Sequence, residues 1–436
     1  MNKITVIGGG LAGCECAYGL LKRGYDVVLY EMRPVKGTPV HKTGDLAELV
    51  CSNSLKSTDI ATIQGLLKYE LRALDSLILR VAERTSVPAG GALAVDRSEF
   101  SAAVEKELSA FDNLKIVREE VTKLDFDGEV VVATGPLTEG KFAECVAAVT
   151  EESEMHFYDA VAPIVTAESV DKEKSFFAAR YGKGGDDYLN LPMEKEEYLA
   201  FYNELINAET VILKEFENKD VFNACMPIEV MAKKGEDSIR FGPLRPVGIR
   251  DPKTDKRPYA VVQLRKEDNY DGLYNLVGFQ TNLKFGEQKR VFGLIPALRD
   301  AEFVRYGVMH RNTFINAPKV INADFSCKKR KNLWFAGQIS GVEGYLESAM
   351  SGLMVAINVD RKLKGKESLI PPETTATGSL MRYVAASNGN FQPMHVSYAL
   401  MPEPEEKIRD KRIKKEKYSQ RAVAAIDKYA ETILKE

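Results

Sequence analysis

A glycine-rich turn near the start of the chain most constrains the fold. Residues 3–31, "KITVIGGGLAGCECAYGLLKRGYDVVLYE", hold a short β-forming run, the turn Gly8–Gly13, small and apolar residues suited to a helix, and a second β-like run. Glu31 ends that second run, 18 positions after Gly13. Glycines between a strand and a helix let the backbone approach a pyrophosphate, and the later acidic side chain accepts hydrogen bonds from ribose hydroxyls. The pattern therefore predicts a dinucleotide site, and a turn that binds nothing is the weaker alternative.

Two later segments are expected to close around the same ligand. The run "VVVATGP" ends a predicted strand at Thr134 and Gly135, although an ordinary strand-to-loop turn explains that run equally well. Residues 332–353, "NLWFAGQISGVEGYLESAMSGL", give a strand, a turn at Gly337 and Gln338, and a helix whose N-terminus is aimed at the ligand. The chain is thus expected to leave the nucleotide-binding domain and to return to it.

The remaining patterns complete an α/β prediction. Apolar residues at helical spacing predict one amphipathic helix over 61–82. We predict a Rossmann-like dinucleotide-binding fold of the glutathione-reductase type, interrupted by a smaller α+β insertion domain. The expected boundaries are 1–195 for the first part of the nucleotide-binding domain, 196–310 for the insertion, and 311–436 for the second part with charged C-terminal helices.

Charge is unevenly distributed along the chain. The formal net charge is -3, yet residues 251–331 hold 16 Lys plus Arg against 9 Asp plus Glu. This excess indicates a surface that meets a polyanion such as RNA, with solvated loop charges as the alternative. Arg245, Arg250 and Arg265 are candidates for phosphate contacts. No apolar run has the length of a membrane span and no signal-peptide layout is present, so we expect a cytoplasmic protein without membrane contact.

Two of the six cysteines lie in settings that favour chemistry. Cys51 is followed by small polar residues typical of a turn or a helix cap, and Cys225 precedes Met226–Pro227, where the chain is expected to bend. A small buried side chain is the alternative for each. The cysteine and histidine spacing favours neither a metal site nor a disulfide framework. The other cysteines are expected to tolerate substitution: Cys14, Cys16, Cys145 and Cys327.

Seven motifs together resemble one enzyme family. The segments "GGGLAG", "YEMRP", "HKTGDLAELVCSNSLKS", "FNACMPIEVMA", "GPLRPVGI", "LVGFQTNL" and "FAGQISGVEGYLESAMSGL" are similar to the folate- and FAD-dependent tRNA (uracil-5-)-methyltransferase family. The resemblance implies FAD as cofactor, with 5,10-methylenetetrahydrofolate and NAD(P)H as co-substrates, and methylation of C5 of a uridine in RNA. The implied target is the T-loop uridine of tRNA. Ribosomal RNA and the tRNA wobble uridine, which a related flavoprotein family modifies, are the alternatives.

The resemblance also implies roles for individual residues. Uracil C5 is a weak nucleophile, so a thiolate must first add to C6, and Cys225 is the implied nucleophile. Cys51 is the implied second thiol, near the flavin, with either proton abstraction from C5 or protection of a flavin-bound intermediate as its step. The implied FAD-binding residues are Gly8, Gly9, Gly10, Leu11, Ala12, Gly13, Glu31, Met32, Arg33, Thr134, Gly135, Gly337 and Gln338.

Two other functional classes fit parts of the sequence. A flavin thiol oxidoreductase would use the same fold, but it needs a redox pair close in sequence, and Cys51 has no such neighbour. A dinucleotide-binding RNA chaperone would use the glycine turn and the basic segment, and it would leave Cys51 and Cys225 without a role. No stable protein partner is indicated by either pattern.

Overall fold

The computed structural model describes residues 3–38, 40–152, 155–182, 187–211, 226–267, 272–386, 391–406 and 408–435. The α-helices are α1 (Leu11–Leu21), α2 (Ile63–Ala73), α3 (Leu77–Arg84), α4 (Arg97–Ser109), α5 (Gly140–Thr150), α6 (Lys195–Asn207), α7 (Ile228–Ala232), α8 (Glu236–Arg240), α9 (Phe285–Phe292), α10 (Ala317–Val320), α11 (Tyr345–Leu363), α12 (Ala376–Ala386) and α13 (Lys411–Leu434). The strands are β1 (Lys3–Ile7), β2 (Asp26–Glu31), β3 (Ser54–Ser57), β4 (Ser86–Val87), β5 (Ala92–Val95), β6 (Leu114–Arg118), β7 (Glu129–Val132), β8 (Met155–Ala160), β9 (Ile164–Thr166), β10 (Phe176–Phe177), β11 (Tyr188–Met193), β12 (Ala260–Lys266), β13 (Leu273–Leu276), β14 (Phe303–Arg305), β15 (Met309–Phe314) and β16 (Leu333–Phe335).

A parallel sheet in the order β16-β7-β1-β2-β6 forms the nucleotide-binding half. In its centre, Ile4 of β1 lies opposite Val27 of β2 and Glu129 of β7. All of β7 is buried, as expected for a parallel sheet that is covered on both faces. The late strand β16 pairs with β7, so the chain leaves this sheet and returns to it. The predicted α/β fold is confirmed.

Two helices cross closely beside this sheet. Every residue of α1 is buried, and its small side chains allow α11 to approach its backbone. A Cβ added to Gly352 of α11 would lie 2.1 Å from the carbonyl oxygen of Ala12, and one added to Gly19 would lie 2.8 Å from Cβ of Ala356. Because of this close crossing, the N-termini of both helices line the same cavity.

The single helix predicted over 61–82 is wrong, because the structure has two helices there. Asp75 has a left-handed backbone with φ of 58°, which ends the first helix. Ser76 then caps α3 by accepting a hydrogen bond from the backbone N–H of Leu79 at 3.2 Å. The buried carboxylate of Glu15 accepts further hydrogen bonds from this N-terminus. These caps outweigh the continuous apolar periodicity.

An antiparallel sheet in the order β10-β11-β12-β13-β9-β14 forms the second half. Its core is separate from that of the parallel sheet and includes Phe201, Val262 and Phe279. The antiparallel pair β8 and β15 stands at the two crossings between the halves. Because β9 to β11 precede residue 196, this sheet takes strands from both sides of the expected boundary. The boundaries at 195 and 310 stay a prediction.

The C-terminal helix α13 packs on the body of the protein. Ala422 and Ile426 on its inner face are buried, and the hydroxyl of Tyr69 in α2 donates to the Asp427 carboxylate at 3.1 Å.

A smaller sheet, β3-β5-β4, lies after the first two strands. Within the described ranges, no helix combines the length and the apolar character needed to cross a bilayer.

Candidate active site

A cavity lies beyond the carboxyl ends of β1, β2 and β7, between the N-termini of α1 and α11. Its volume is about 1210 Å³, counting the part open to solvent. Open α/β sheets bind ligands at this edge. The expected cofactor residues that line the cavity are Gly8, Gly9, Gly10, Leu11, Ala12, Glu31, Met32, Arg33, Thr134, Gly135, Gly337 and Gln338. Gly13 instead packs behind the turn.

The glycines of the first turn serve two purposes. Gly8 has φ of +108°, and an added Cβ would lie 2.4 Å from the carbonyl oxygen of Ala133. A Cβ on Gly13 would lie only 1.8 Å from the carbonyl oxygen of Gly8. By contrast, a Cβ on Gly10 would meet nothing within 4 Å. Gly8 and Gly13 thus permit the tight turn, while Gly10 leaves open space at the N-terminus of α1.

Glu31 ends β2 beside this turn. Its Oε2 accepts a hydrogen bond from the backbone N–H of Gly9 at 2.9 Å, and its Oε1 accepts from Nε of Arg33 at 2.9 Å. Burial acts to raise the pKa of Glu31, but the Arg33 guanidinium and the backbone donors hold it below its ordinary value. Arg33 also contacts Glu48 at 2.8 Å. The carboxylate is therefore ionised and fixed at the cavity wall.

The second turn reaches the cavity from the other side. Gly337 has φ of +77°, and its N–H donates to Oγ of Ser351 in α11 at 2.7 Å. Across the cavity, the hydroxyl oxygens of Thr134 and Thr138 lie 2.6 Å apart, and Gly135 has φ of +72° with open space beside it. Two helix N-termini, two glycine turns and one carboxylate thus surround one elongated space, which fits a dinucleotide such as FAD.

The Cys51 loop adjoins this cavity. The backbone N–H groups of Cys51 and Ser52 both donate to the hydroxyl oxygen of Tyr345, at 2.8 and 3.0 Å. Tyr345 opens α11 and lines the cavity, as does Val50. Burial raises the pKa of Tyr345, so its hydroxyl stays protonated. Cys51 itself is half-buried, which agrees with a turn and not with a core position.

Three arginines that are distant in sequence hold this loop. Arg265 of β12 donates to Oγ of Ser52 at 2.8 Å and to Oδ1 of Asn53 at 2.8 Å. Arg305 of β14 donates to the carbonyl oxygen of Val50, and Arg97 of α4 donates to that of Leu49. Two of these arginines come from the second sheet, which therefore helps α4 to position a loop of the nucleotide-binding half. The sequence held no local signal for this arrangement.

Polar atoms with unmet hydrogen-bonding capacity surround the same loop. Within the described part of the chain, Nη2 of Arg97, Oε1 of Glu267 and Nε of Arg305 are buried without a partner. Nε of Arg97 meanwhile contacts Oε2 of Glu267 at 2.6 Å. Buried polar atoms without a hydrogen bond are costly, so the contacts that hold this loop leave part of their hydrogen-bonding capacity unused.

The phosphate-contact candidates divide in the structure. Arg245 and Arg250 are exposed, as such contacts require. Arg265 is buried at 6% exposure and bound to the Cys51 loop, so its expected phosphate contact is wrong. Arg245 and Arg250 lie in the proline- and glycine-rich segment "FGPLRPVGIRDP", whereas Arg265 ends the β-like run "YAVVQLR", and this strand setting was the sequence signal that could have separated them.

The remaining cysteines lie apart from this chemistry. Cys14 and Cys16 are fully buried in α1, and burial raises the pKa of both thiols. Cys327 is buried and Cys145 is half-buried. Cys225 lies outside the described residues, so its role as nucleophile stays a prediction.

Comparisons with known proteins show the family to which this chain belongs. The family model described as "Glucose inhibited division protein A" matches residues 3–367. A protein of Natranaerobius thermophilus named "Methylenetetrahydrofolate--tRNA-(uracil-5-)-methyltransferase TrmFO" is 55% identical over 430 residues, covering 98% of this chain and 99% of that protein. A protein of Lactobacillus gasseri with the same name is 52% identical, covering 99% of each chain.

Solved structures of Aquifex aeolicus GidA share the fold. The form II crystal structure matches with a TM-score of 0.71 at 16% identity, covering 99% of this chain and 74% of that chain. The form I structure matches with a TM-score of 0.70, also at 16% identity, covering 99% of this chain and 76% of that chain. The expected family is therefore confirmed: the chain belongs to the folate- and FAD-dependent tRNA (uracil-5-)-methyltransferases, within the wider glucose-inhibited division protein A family.

Proposed function

We propose that this chain methylates C5 of a uridine in tRNA, with 5,10-methylenetetrahydrofolate as the one-carbon donor. The observation that carries the proposal is the hydrogen bond from the backbone N–H of Cys51 to the hydroxyl of Tyr345. This hydrogen bond fixes a cysteine loop at the wall of a dinucleotide cavity. Relatives named for this reaction at 52–55% identity over nearly the whole chain support it. The T-loop uridine is the target that we propose, and the cytoplasm is the compartment.

The residues present would hold FAD in a defined order. The N–H groups that open α1 at Gly10 and Leu11 would face the pyrophosphate, since no side chain caps this helix. Glu31 would accept from ribose hydroxyls, and Arg33 keeps its carboxylate ionised for that purpose. The turn at Gly337 would lie against the far part of the cofactor. Bound in its reduced form, FAD supplies the electrons that take the transferred carbon to the methyl level.

The cysteines would supply the covalent chemistry on the base. We assign Cys225 to the thiolate that adds to uracil C6, which makes C5 nucleophilic. Once C5 has bonded to the one-carbon unit, it loses its proton, and elimination of the thiolate restores the C5–C6 double bond. Cys51 would serve at the flavin side. The target base would leave its stack to reach both groups.

The arginine contacts suggest how the RNA-facing half would support this site. The division into 1–195, 196–310 and 311–436 remains our proposal, with Cys225 in the middle part. Arg265 and Arg305 belong to the antiparallel sheet and hold the Cys51 loop. Correct docking of that sheet would therefore be required for the position of Cys51.

The decisive experiment follows tritium at C5. The substrate is tRNA that carries [5-³H]uridine and lacks 5-methyluridine. We expect wild-type protein to release tritium only with methylenetetrahydrofolate and reduced flavin present. Cys225→Ala should abolish tritium release. Cys145→Ala, which changes a half-buried cysteine of α5, should leave the rate within about twofold. Release by Cys225→Ala at the wild-type rate would remove the nucleophile assignment, and no release by wild type would remove the proposed function.

NAD(P)H as the reductant is a separate proposal. Under anaerobic conditions, NADH or NADPH should bleach the flavin absorbance of the purified protein at a rate that supports turnover. If neither nucleotide bleaches it while chemical reduction sustains tritium release, another reductant serves this enzyme.

A further inference from the structure

A ladder of aromatic rings runs from the core of the antiparallel sheet to its surface. Phe279 and Phe292 are fully buried and meet edge to face at 5.2 Å between ring centroids. Phe292 then contacts Phe303 at 6.4 Å. Tyr306 stacks on Phe303 at 5.3 Å with 8° between the planes, and Phe285 stacks on Tyr306 at 4.9 Å and 18°. The outermost ring, Phe285, is 54% exposed.

The outer rings are held rigidly by the backbone beneath them. Phe285 is the first residue of α9. The side chain of Gln288, one turn later, donates to the carbonyl oxygen of Gly307 at 2.9 Å and accepts from its N–H at 2.8 Å. These two hydrogen bonds lock α9 to the chain that carries Tyr306. The exposed ring is thus a fixed flat surface, unlike a surface aromatic that turns freely in solvent.

The ladder shares a chain segment with the contacts that hold the Cys51 loop. Tyr306 follows Arg305, whose guanidinium donates to the carbonyl oxygen of Val50 beside Cys51. The N–H of Val211 donates to the carbonyl oxygen of Asn282 at 2.9 Å, and this hydrogen bond fixes the backbone three residues before Phe285. The segment that carries Tyr306 therefore also contacts the loop that holds Cys51, through Arg305.

Charged side chains before and after Phe285 in the chain form ion pairs. Lys284 pairs with Glu209, and Arg290 pairs with Glu204 and Glu287. Lys289 in α9 is exposed as well, so the case for a base rests on the ring itself and not on a lack of cations. An aromatic face that is fixed and half open suits an unstacked nucleobase, because every base presents a π-face of similar size.

We propose that Phe285, supported by Tyr306, is a stacking platform for an unstacked base of the substrate RNA. This inference rests on the proposed function, because it takes the substrate to be RNA whose target region is opened at this site. The stacked base is either the target uridine or a nucleotide beside it. A platform on a segment that also contacts the Cys51 loop would hold the opened RNA while the thiols act.

Kinetics on three variants of the full-length holoenzyme test the platform. We expect Phe285→Ala and Phe285→Leu to raise KM for tRNA by roughly fivefold to one hundredfold, the range of base–aromatic stacking. Phe285→Trp should keep KM near the wild-type value, because it retains an aromatic face. Phe241→Ala is the matched control, since Phe241 is 63% exposed and, among the residues that the structure describes, its ring stacks on no other ring and meets the Arg240 guanidinium. Flavin absorbance and thermal unfolding should match wild type in all four variants.

The outcomes separate the platform from the function. If Phe285→Leu keeps the wild-type KM, an apolar contact with RNA or protein replaces stacking and the platform is wrong. If Phe285→Ala matches Phe241→Ala, the ring has no part in binding. If wild type releases no tritium from tRNA, the proposed function fails first, and the platform can still be tested by fluorescence.

Fluorescence supplies that second measurement. The chain has one tryptophan, Trp334, which is buried at 1% exposure. Phe285→Trp adds a surface emitter, and a single-stranded RNA hairpin loop should quench its added emission by stacking. Phe241→Trp should show little quenching by the same RNA. Equal quenching in both variants, or none in Phe285→Trp, would overturn the platform.

Discussion

The turn at Gly8–Gly13 and the turn at Gly337–Gly344 both open a helix at the cavity, yet glycine serves them differently. In the first turn, Gly13 is required by contact, because its neighbour is the backbone of Gly8. In the second turn, Gly337, Gly341 and Gly344 have positive φ, as Gly8 does in the first turn, but their added Cβ atoms would meet side chains and not backbone. A clash with backbone cannot be relieved without opening the turn, whereas a clash with a side chain is relieved in part when that side chain moves. Substitutions at Gly13, Gly341, Gly10 and His41 probe this difference.

Gly13→Ala should have the largest effect. Its methyl group would lie 1.8 Å from a carbonyl oxygen that cannot move without opening the turn. We expect a loss of roughly 4 kcal/mol or more in the free energy of unfolding, and protein purified without flavin colour. Chemical denaturation and the absorbance spectrum measure both.

Gly286→Ala is the matched control for that change. Gly286 is also an early helical glycine, in α9, and an added Cβ meets nothing within 4 Å. Removing a helical glycine there should stabilise the protein by up to about 1 kcal/mol. If Gly13→Ala and Gly286→Ala behaved alike, the contact explanation of the first turn would be wrong.

Gly341→Ala should show a smaller loss in the second turn. Gly341 has φ of +90°, and an added Cβ would lie 2.4 Å from the ring of buried Phe391. Left-handed strain and a displaced ring together should cost about 2 to 4 kcal/mol. Gly365→Ala, with φ of +69° and open space, isolates the strain and should cost about 1 kcal/mol. A loss in Gly341→Ala no greater than in Gly365→Ala would mean that the ring gives way freely.

Gly10→Ala should separate binding from folding. Gly10 has φ of -77°, which alanine adopts easily, and its Cβ would project into open cavity space. We expect the free energy of unfolding of apoprotein to stay within about 1 kcal/mol of wild type. FAD affinity should fall about tenfold, because the methyl group keeps the pyrophosphate from the helix N-terminus. A flavin titration with unchanged affinity would place the pyrophosphate elsewhere.

The first turn could be predicted because all its parts are contiguous. A strand, the glycines, a helix and Glu31 lie within residues 3–31, so local spacing is sufficient. The second turn was predictable on the same grounds. The break at Asp75 and Ser76 had a local capping signal too, but apolar periodicity across it was the stronger pattern, and tertiary contact with Glu15 decided the outcome.

The surroundings of Cys51 could not be predicted in the same way. The three arginines that hold the loop lie 46 to 254 residues further along the chain: Arg97, Arg265 and Arg305. No local sequence pattern links them to Cys51. Docking of the antiparallel sheet brings Arg265 and Arg305 to the loop, and the N-terminus of α4 brings Arg97. The aromatic ladder had no sequence signal for the same reason. Phe285 comes from α9, whereas Phe303 and Tyr306 come from β14 and the residue after it.

His41→Gln should have the smallest effect, at the charged rim of the first turn. Nδ1 of His41 lies 2.7 Å from Oγ1 of Thr38, and burial together with the nearby Arg33 charge lowers the pKa of His41 to about 4. The unfolded chain therefore binds the proton more tightly than the folded one. The stability from neutral His41 is complete above pH 6.5 and is lost as the pH falls toward 4. Between pH 8 and pH 6, wild type should lose about 1 kcal/mol more than His41→Gln in chemical denaturation. Parallel losses in the two proteins would show that Glu48, on the same wall, already offsets the Arg33 charge.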